Sequence, residues 1–203
     1  MKTQTKNTQD SLTPNDAKSI LMEGNKRFVE SVSATRNLKK QVTETSSGQY
    51  PFAVVLSCID SRVPVELIFD QGIGDIFSAR VAGNIVNEDI LGSIEYACKV
   101  AGSKMVLVLG HSKCGAVTAA CKDVELGNIT ALLHKIKPAV KLVKKETEEI
   151  TEAFIEKVTL ENVKIAMERI RKESPILLKM EKNDEIKIVG AIYNVATGKV
   201  EEI

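Results

Sequence analysis

Apolar and polar positions along this 203-residue chain change rhythm as it proceeds. The opening MKTQTKNTQDSL shows no apolar period and reads as a tail over residues 1–12. Thr13-Pro14-Asn15-Asp16 then has the form of a helix start. Thr13 is the N-cap, Pro14 takes the first helical position and Asp16 lies in the first turn. Ala17, Ile20, Leu21, Gly24 and Phe28 follow at helical spacing and predict a helix to about residue 31. Residues 33–50, rich in Ser, Thr and Gln, read as a loop. From Phe52 the pattern alternates. Strands are predicted over Phe52–Ser57, Asp75–Arg80 and Met105–Gly110, the first and last from nearly unbroken apolar runs. Between and after them fall a short helix over Pro64–Phe69, opened by its proline, a helix over Asn87–Ala101 and one from Cys114 to Lys122. In the Asn87–Ala101 helix, Ile90, Leu91, Ile94 and Ala97 share a face. Such alternation predicts an α/β fold, its central, mostly parallel sheet covered on both faces by helices. Two charged amphipathic helices follow, over Ile129–Lys145 and Glu148–Lys172. A strand over Ile186–Tyr193, a turn at Ala196-Thr197-Gly198-Lys199 and a short edge strand end the chain, giving C-terminal strands over 186–203. Nothing resembles a linker, so residues 1–203 are expected to form a single domain.

Composition narrows the choices. A hydrophobic fraction of 43% with 27% charged residues excludes wholesale disorder. Lys plus Arg number 28 against 27 Asp plus Glu, and a net charge of +1 gives no global reason to bind nucleic acid or an anionic membrane. No apolar run reaches the roughly 18–20 residues of a spanning helix. The polar N-terminus lacks the apolar centre of a secretory signal, so a cytoplasmic location is expected. Four cysteines are too sparse for a disulfide scaffold, which turns attention to metal.

Cys58 lies just past the first predicted strand, and His111 and Cys114 just past the third, in HSKC. Open α/β sheets collect ligands outside the carboxyl ends of their strands. Two Cys and one His make the Cys₂His count of a catalytic zinc with an open fourth position. Cys121, seven residues after Cys114, would stand about 10 Å up a continuous helix, too far to share a metal with it. Cys98 and His134 fall inside other helices and read as ordinary core or surface residues. Spacing alone also fits a plainer reading of the triplet as a buried Cys, a hydrogen-bonded His and a small residue at a helix start. Asp60-Ser61-Arg62 stands beside Cys58. Its carboxylate could bind a metal or accept a proton from metal-bound water, with Arg62 holding it ionised; it also fits a simple surface turn.

CxDSR (Cys58-Ile59-Asp60-Ser61-Arg62) followed by HxxCG (His111-Ser112-Lys113-Cys114-Gly115) resembles the β-class carbonic anhydrases of bacteria. EGNKRF, RVPVELIFDQGIGDIFSARVAGN, GSIEYA and IVGAIYNVATGKV extend the resemblance over most of the chain. The resemblance implies one Zn²⁺ per chain on Cys58, His111 and Cys114, with water or hydroxide as fourth ligand, and a catalytic core over 49–123. Asp60 and Arg62 would form the dyad that orients that water. Gln49 would donate to substrate oxygen, and Gly115 would offer its backbone N–H beside the metal. Phe77 and Tyr96 would line the apolar pocket for CO₂, and Ala82 stands where some relatives carry valine. The implied reaction is reversible hydration of CO₂ to bicarbonate and a proton. The implied assembly is a homodimer, possibly a dimer of dimers, with the helix over 13–32 as an arm across the partner. Two thiolates cancel the zinc charge, so hydration is expected to climb above pH 7. Two other readings keep the metal: a zinc hydrolase of CS₂ or COS on the same scaffold, and a non-enzymatic zinc-binding interaction protein using the late charged helices.

Overall fold

The computed structural model describes residues 2–144 and 149–203. Its sheet has five strands, β1 (Ala53–Ser57), β2 (Ile76–Arg80), β3 (Met105–His111), β4 (Lys187–Tyr193) and β5 (Val200–Glu202), in the order β2-β1-β3-β4-β5. The first four run parallel, and β5 returns antiparallel along β4 as the predicted edge strand. Every residue of β1 and β3 is buried, as a sheet covered on both sides requires.

Alternation along these strands divides the core. Val54, Leu56, Val106 and Val108 face α5 (Glu88–Glu95) and the long α9 (Glu152–Glu173). Ala53, Val55 and Leu107 face α2 (Pro14–Val29) and α4 (Val65–Ile68). A third cluster lies beyond the strand ends, where Cys58 and Cys114 pack with Val117 of α6 (Gly115–Cys121), Ile136 and Phe154.

α2 begins as its sequence predicts, with the Thr13 hydroxyl accepting from Asp16 N and the Asp16 carboxylate from Thr13 N. One face of α2 closes on its own sheet through Ala17 and Leu21, and Gly24 packs on the Phe69 carbonyl, where a Cβ would stand 1.8 Å from that oxygen. Asn25 ties α2 to both ends of the structure. Its amide donates to Ile68 O and Gly198 O, and its carbonyl accepts from Val200 N.

Several predicted elements are corrected. The expected tail contains α1 (Lys6–Ser11), capped by Thr5, because Gln9 is buried there and donates to the Pro51 and Ala101 carbonyls. The expected loop over 33–50 contains α3 (Leu38–Thr45), capped by Asn37 and anchored by buried Gln41. The single helix expected over 129–145 is two, α7 (Gly127–His134) and α8 (Lys137–Val143); Pro138 lacks the N–H needed to continue the first into the second. Its expected end at Lys145, and the expected start at Glu148, lie outside the described residues. α10 (Pro175–Lys182), with Ser174 as cap and Pro175 at its first position, is an unpredicted addition. The helix after β2 ends in a wider π turn over Tyr96–Val100.

Candidate metal centre

The chain leaves β1 for β2 on one side, while β3 lies on the other, with Ser57 opposite Leu109. α4 and α5 pack on opposite faces of the sheet, and it is beyond the carboxyl ends of such strands that open α/β sheets collect ligands. Cys58 is the first residue after β1, and Cys114 is the N-cap of α6. His111 is the last residue of β3 rather than just past it, because pairing with β4 continues to Tyr193 and Ser112 N donates to the Tyr193 carbonyl.

One candidate ligand atom from each of Cys58, His111 and Cys114 lies within 4.8 Å of the other two, and all three residues are buried. No other such group of His, Cys, Asp or Glu occurs among the described residues. Cys121, at the far end of α6, stays outside it, as do Cys98 and His134. The His111 ring is aimed by its own strand end: Nδ1–H donates to the Ser112 carbonyl at 2.9 Å, which leaves the lone pair on Nε2. That Nε2 is buried and has no hydrogen-bond partner. A dehydrated lone pair between two thiols is satisfied by a soft-to-borderline cation, and the donor set fits one zinc with a position to spare.

The thiols themselves are prepared for this. A hydrogen bond from Cys114 drives the Cys58 pKa down despite burial, with the Gly83 N–H assisting. Cys114, hydrogen-bonded to Cys58 and itself buried, is driven up. A divalent cation bound by both sulfurs takes them as thiolates, so its binding displaces thiol protons. Cys98 shows what burial does without such a partner, its thiol being pushed up to about 12.

Asp60 stands at the mouth. Arg62 grips it with Nε on Oδ1 at 2.9 Å and Nη2 on Oδ2 at 2.8 Å, while Arg62 N also donates to Oδ1. This clamp holds the carboxyl at about 2. Asp60 Oδ2 lies 3.9 Å from His111 Nε2, near the cluster but outside it. Arg62 Nη2 also reaches the Lys113 carbonyl at 3.2 Å, joining the two motifs.

Comparison with known proteins agrees with this geometry. The family model described as carbonic anhydrase matches residues 53–200. Carbonic anhydrase 2 of Mycobacterium tuberculosis is 34% identical over 187 residues, covering 88% of this chain and 87% of that protein. The solved β-carbonic anhydrase CcaA superposes with a TM-score of 0.75 at 26% identity, covering 91% of this chain and 86% of that one. The chain belongs to the β-class carbonic anhydrases. Structures of two tetrameric β-carbonic anhydrases from Sordaria macrospora show the same fold, with a TM-score of 0.71 at 22% identity over 81% of this chain and 90% of that one.

The remaining residues expected of a β-carbonic anhydrase divide. Gly115 opens α6 beside Cys114, and a Cβ there would meet nothing within 4 Å. Ala82 begins a short 3₁₀ turn, Ala82–Asn84, whose Gly83 N–H points at Cys58 Sγ. Phe77 and Tyr96 pack edge to face with centroids 6.3 Å apart, in a groove of about 770 Å³ between β2 and α5. Gln49 lines an adjoining cavity of about 360 Å³ that also touches Tyr96. Neither cavity is lined by Cys58, His111 or Cys114. Phe77 stands three residues, about 10 Å of strand, before the β2 end nearest the cluster.

Arg80 went unnoticed in the sequence. From the end of β2 it donates to the Cys58 carbonyl at 3.0 Å and the Asp60 carbonyl at 2.7 Å, fixing the loop that carries both. Its position at the close of a predicted strand was the available signal.

Proposed function

We propose that this chain hydrates CO₂ reversibly to bicarbonate and a proton, using one zinc ion held by Cys58, His111 and Cys114. The carrying observation is the Arg62-clamped Asp60 beside a buried Cys₂His cluster, since a purely structural zinc has no use for a carboxylate held off the metal. When bound, zinc supplies a Lewis acid that makes water nucleophilic near neutral pH. The chain's own residues do the rest. Asp60, ionised down to about pH 2, is too weak a base to keep the proton, so it accepts a hydrogen bond and orients the nucleophile. Arg62 occupies both carboxylate oxygens and keeps Asp60 from becoming a ligand. Gly115 leaves open space next to Cys114 for a small linear substrate.

We read Gln49, Phe77 and Tyr96 as serving the metal centre of a second copy. They lie away from their own cluster, Tyr96 is half exposed, and β2 has a sheet neighbour on one side only. A homodimer, or a pair of dimers, follows from this reading. The N-terminal α2 is clasped to the C-terminal turn by Asn25, which supports residues 1–203 as one working unit. Four free cysteines among the described residues suit a reducing cytoplasm.

The test is stopped-flow CO₂ hydration at pH 8.5 on protein of known zinc content. Rapid turnover with about one zinc per chain is expected. Full zinc occupancy without hydration overturns the assignment, and assays with CS₂ and COS then decide between hydrolase and non-enzyme.

A further inference from the structure

Asn162 is a polar residue in an apolar place. It sits on α9, is 3% exposed, and has Val158 and Val163 of the core as near neighbours in the helix. Its amide Nδ2 donates at 2.9 Å to the Gly83 carbonyl, 79 positions earlier in the chain. Gly83 in turn points its N–H at Cys58 Sγ, 3.3 Å away. The backbone at Gly83 is left-handed, φ +68°, and a Cβ there would meet Ile136 Cδ1 at 2.6 Å. Glycine is therefore required, and glycine brings freedom that something else must remove.

We infer that Asn162 is a positioning residue for the metal thiolate. It fixes the Gly83 carbonyl, thereby the peptide on either side of that glycine, and so keeps the Gly83 N–H aimed at Cys58 sulfur. An N–H···S bond draws electron density from a thiolate and orients its lone pairs, which tunes both the grip on the metal and the charge that the metal retains. Asn162 touches neither substrate nor metal; its whole effect travels through one backbone unit. A buried amide serving only helix packing would be replaced by a leucine of similar size at little cost to the metal.

This inference rests on zinc binding by Cys58, and the experiment separates the two. Cobalt(II)-loaded wild type should take up one metal per chain and show thiolate-to-cobalt charge-transfer absorption; failure there sinks the zinc assignment itself. Asn162→Leu and the shorter Asn162→Ser, each with normal folding by circular dichroism, should shift that absorption. Both should also weaken zinc binding roughly 10- to 100-fold in chelator competition. Thr159→Val, one turn earlier on the same helix and bonded only to Ile155 O, should match wild type in both readouts. Wild-type absorption and affinity in a folded Asn162→Leu overturn the inference. Should neither variant fold, the cadmium-113-loaded wild type decides: the Gly83 amide proton should couple to the metal through Cys58 sulfur, and absence of that coupling overturns it.

Discussion

The two halves of this active site are built on opposite plans. The metal half stands on β1 and β3, whose every residue is buried, and its donors need only their own chain. His111 is aimed by Ser112 O, Cys58 by the Gly83 N–H, and Asp60 by Arg62. The groove proposed to take substrate stands on β2, an edge strand with alternating exposure, and on the exposed ring of Tyr96. The difference teaches that burial and self-sufficiency go together here: the donor cluster is closed within one chain, whereas the apolar groove, on the reading proposed above, is completed by a second copy.

The sharpest way to break this comparison is to damage the halves in different chains. Cys114→Ala should lose zinc and fall to background hydration, the largest effect expected. Gln49→Ala should keep its zinc and lose most activity. Co-refolded together, the two should recover activity that neither has alone, because one composite site in each mixed dimer is intact. No recovery in a demonstrated mixed dimer would place both halves in one chain.

Next in size is Asp60→Asn, expected to retain zinc while hydration drops by about 10²–10⁴-fold. Removing an anion beside the nucleophilic water favours its ionisation, so the alkaline rise in rate should move to lower pH as its plateau falls. A depressed carboxyl pKa stays out of the working range. Asp60 remains charged until pH falls toward about 2, so its titration contributes nothing between pH 6 and 9. An acid limb near pH 4 in the wild-type rate profile would contradict that.

Arg62→Ala should cost less, roughly 10- to 100-fold in rate. In the zinc-free protein, loss of the clamp should raise the Asp60 carboxyl from about 2 toward the ordinary value near 3.9, measurable by NMR titration of the carboxyl carbon. The smallest effect concerns the scaffold. Gly24→Ala sets a methyl against the Phe69 carbonyl and should lower stability by about 1–3 kcal/mol in urea titration, with hydration per folded molecule nearly unchanged.

What the sequence disclosed follows this same division. β1 and β3 were legible because complete burial leaves an unbroken apolar run, and their ends marked where Cys58 and His111 would meet. The Thr13 N-cap and Pro64 were local signals, and both stand where expected; the reciprocal bond from Asp16 that completes a capping box is an addition. α1 and α3 were hidden because each is anchored by one buried glutamine, Gln9 or Gln41, and a glutamine in a polar stretch looks solvent-exposed until its distant partners are known. Pro138 marks the break before α8 in the sequence itself. Arg80 and Asn162 act on backbone atoms of residues far away in sequence, which no residue type announces. That Gln49 and Tyr96 line cavities holding none of the three donors was equally invisible, for spacing says nothing about which face of an edge strand a groove will occupy.

Every proposed ligand is encoded by residue 114, yet the strand that seats His111 finishes at Tyr193. During synthesis the three donors exist for some eighty residues before β4 arrives to pair with β3. A growing chain thus carries all three donors well before it carries the strand that pairs with β3 as far as His111.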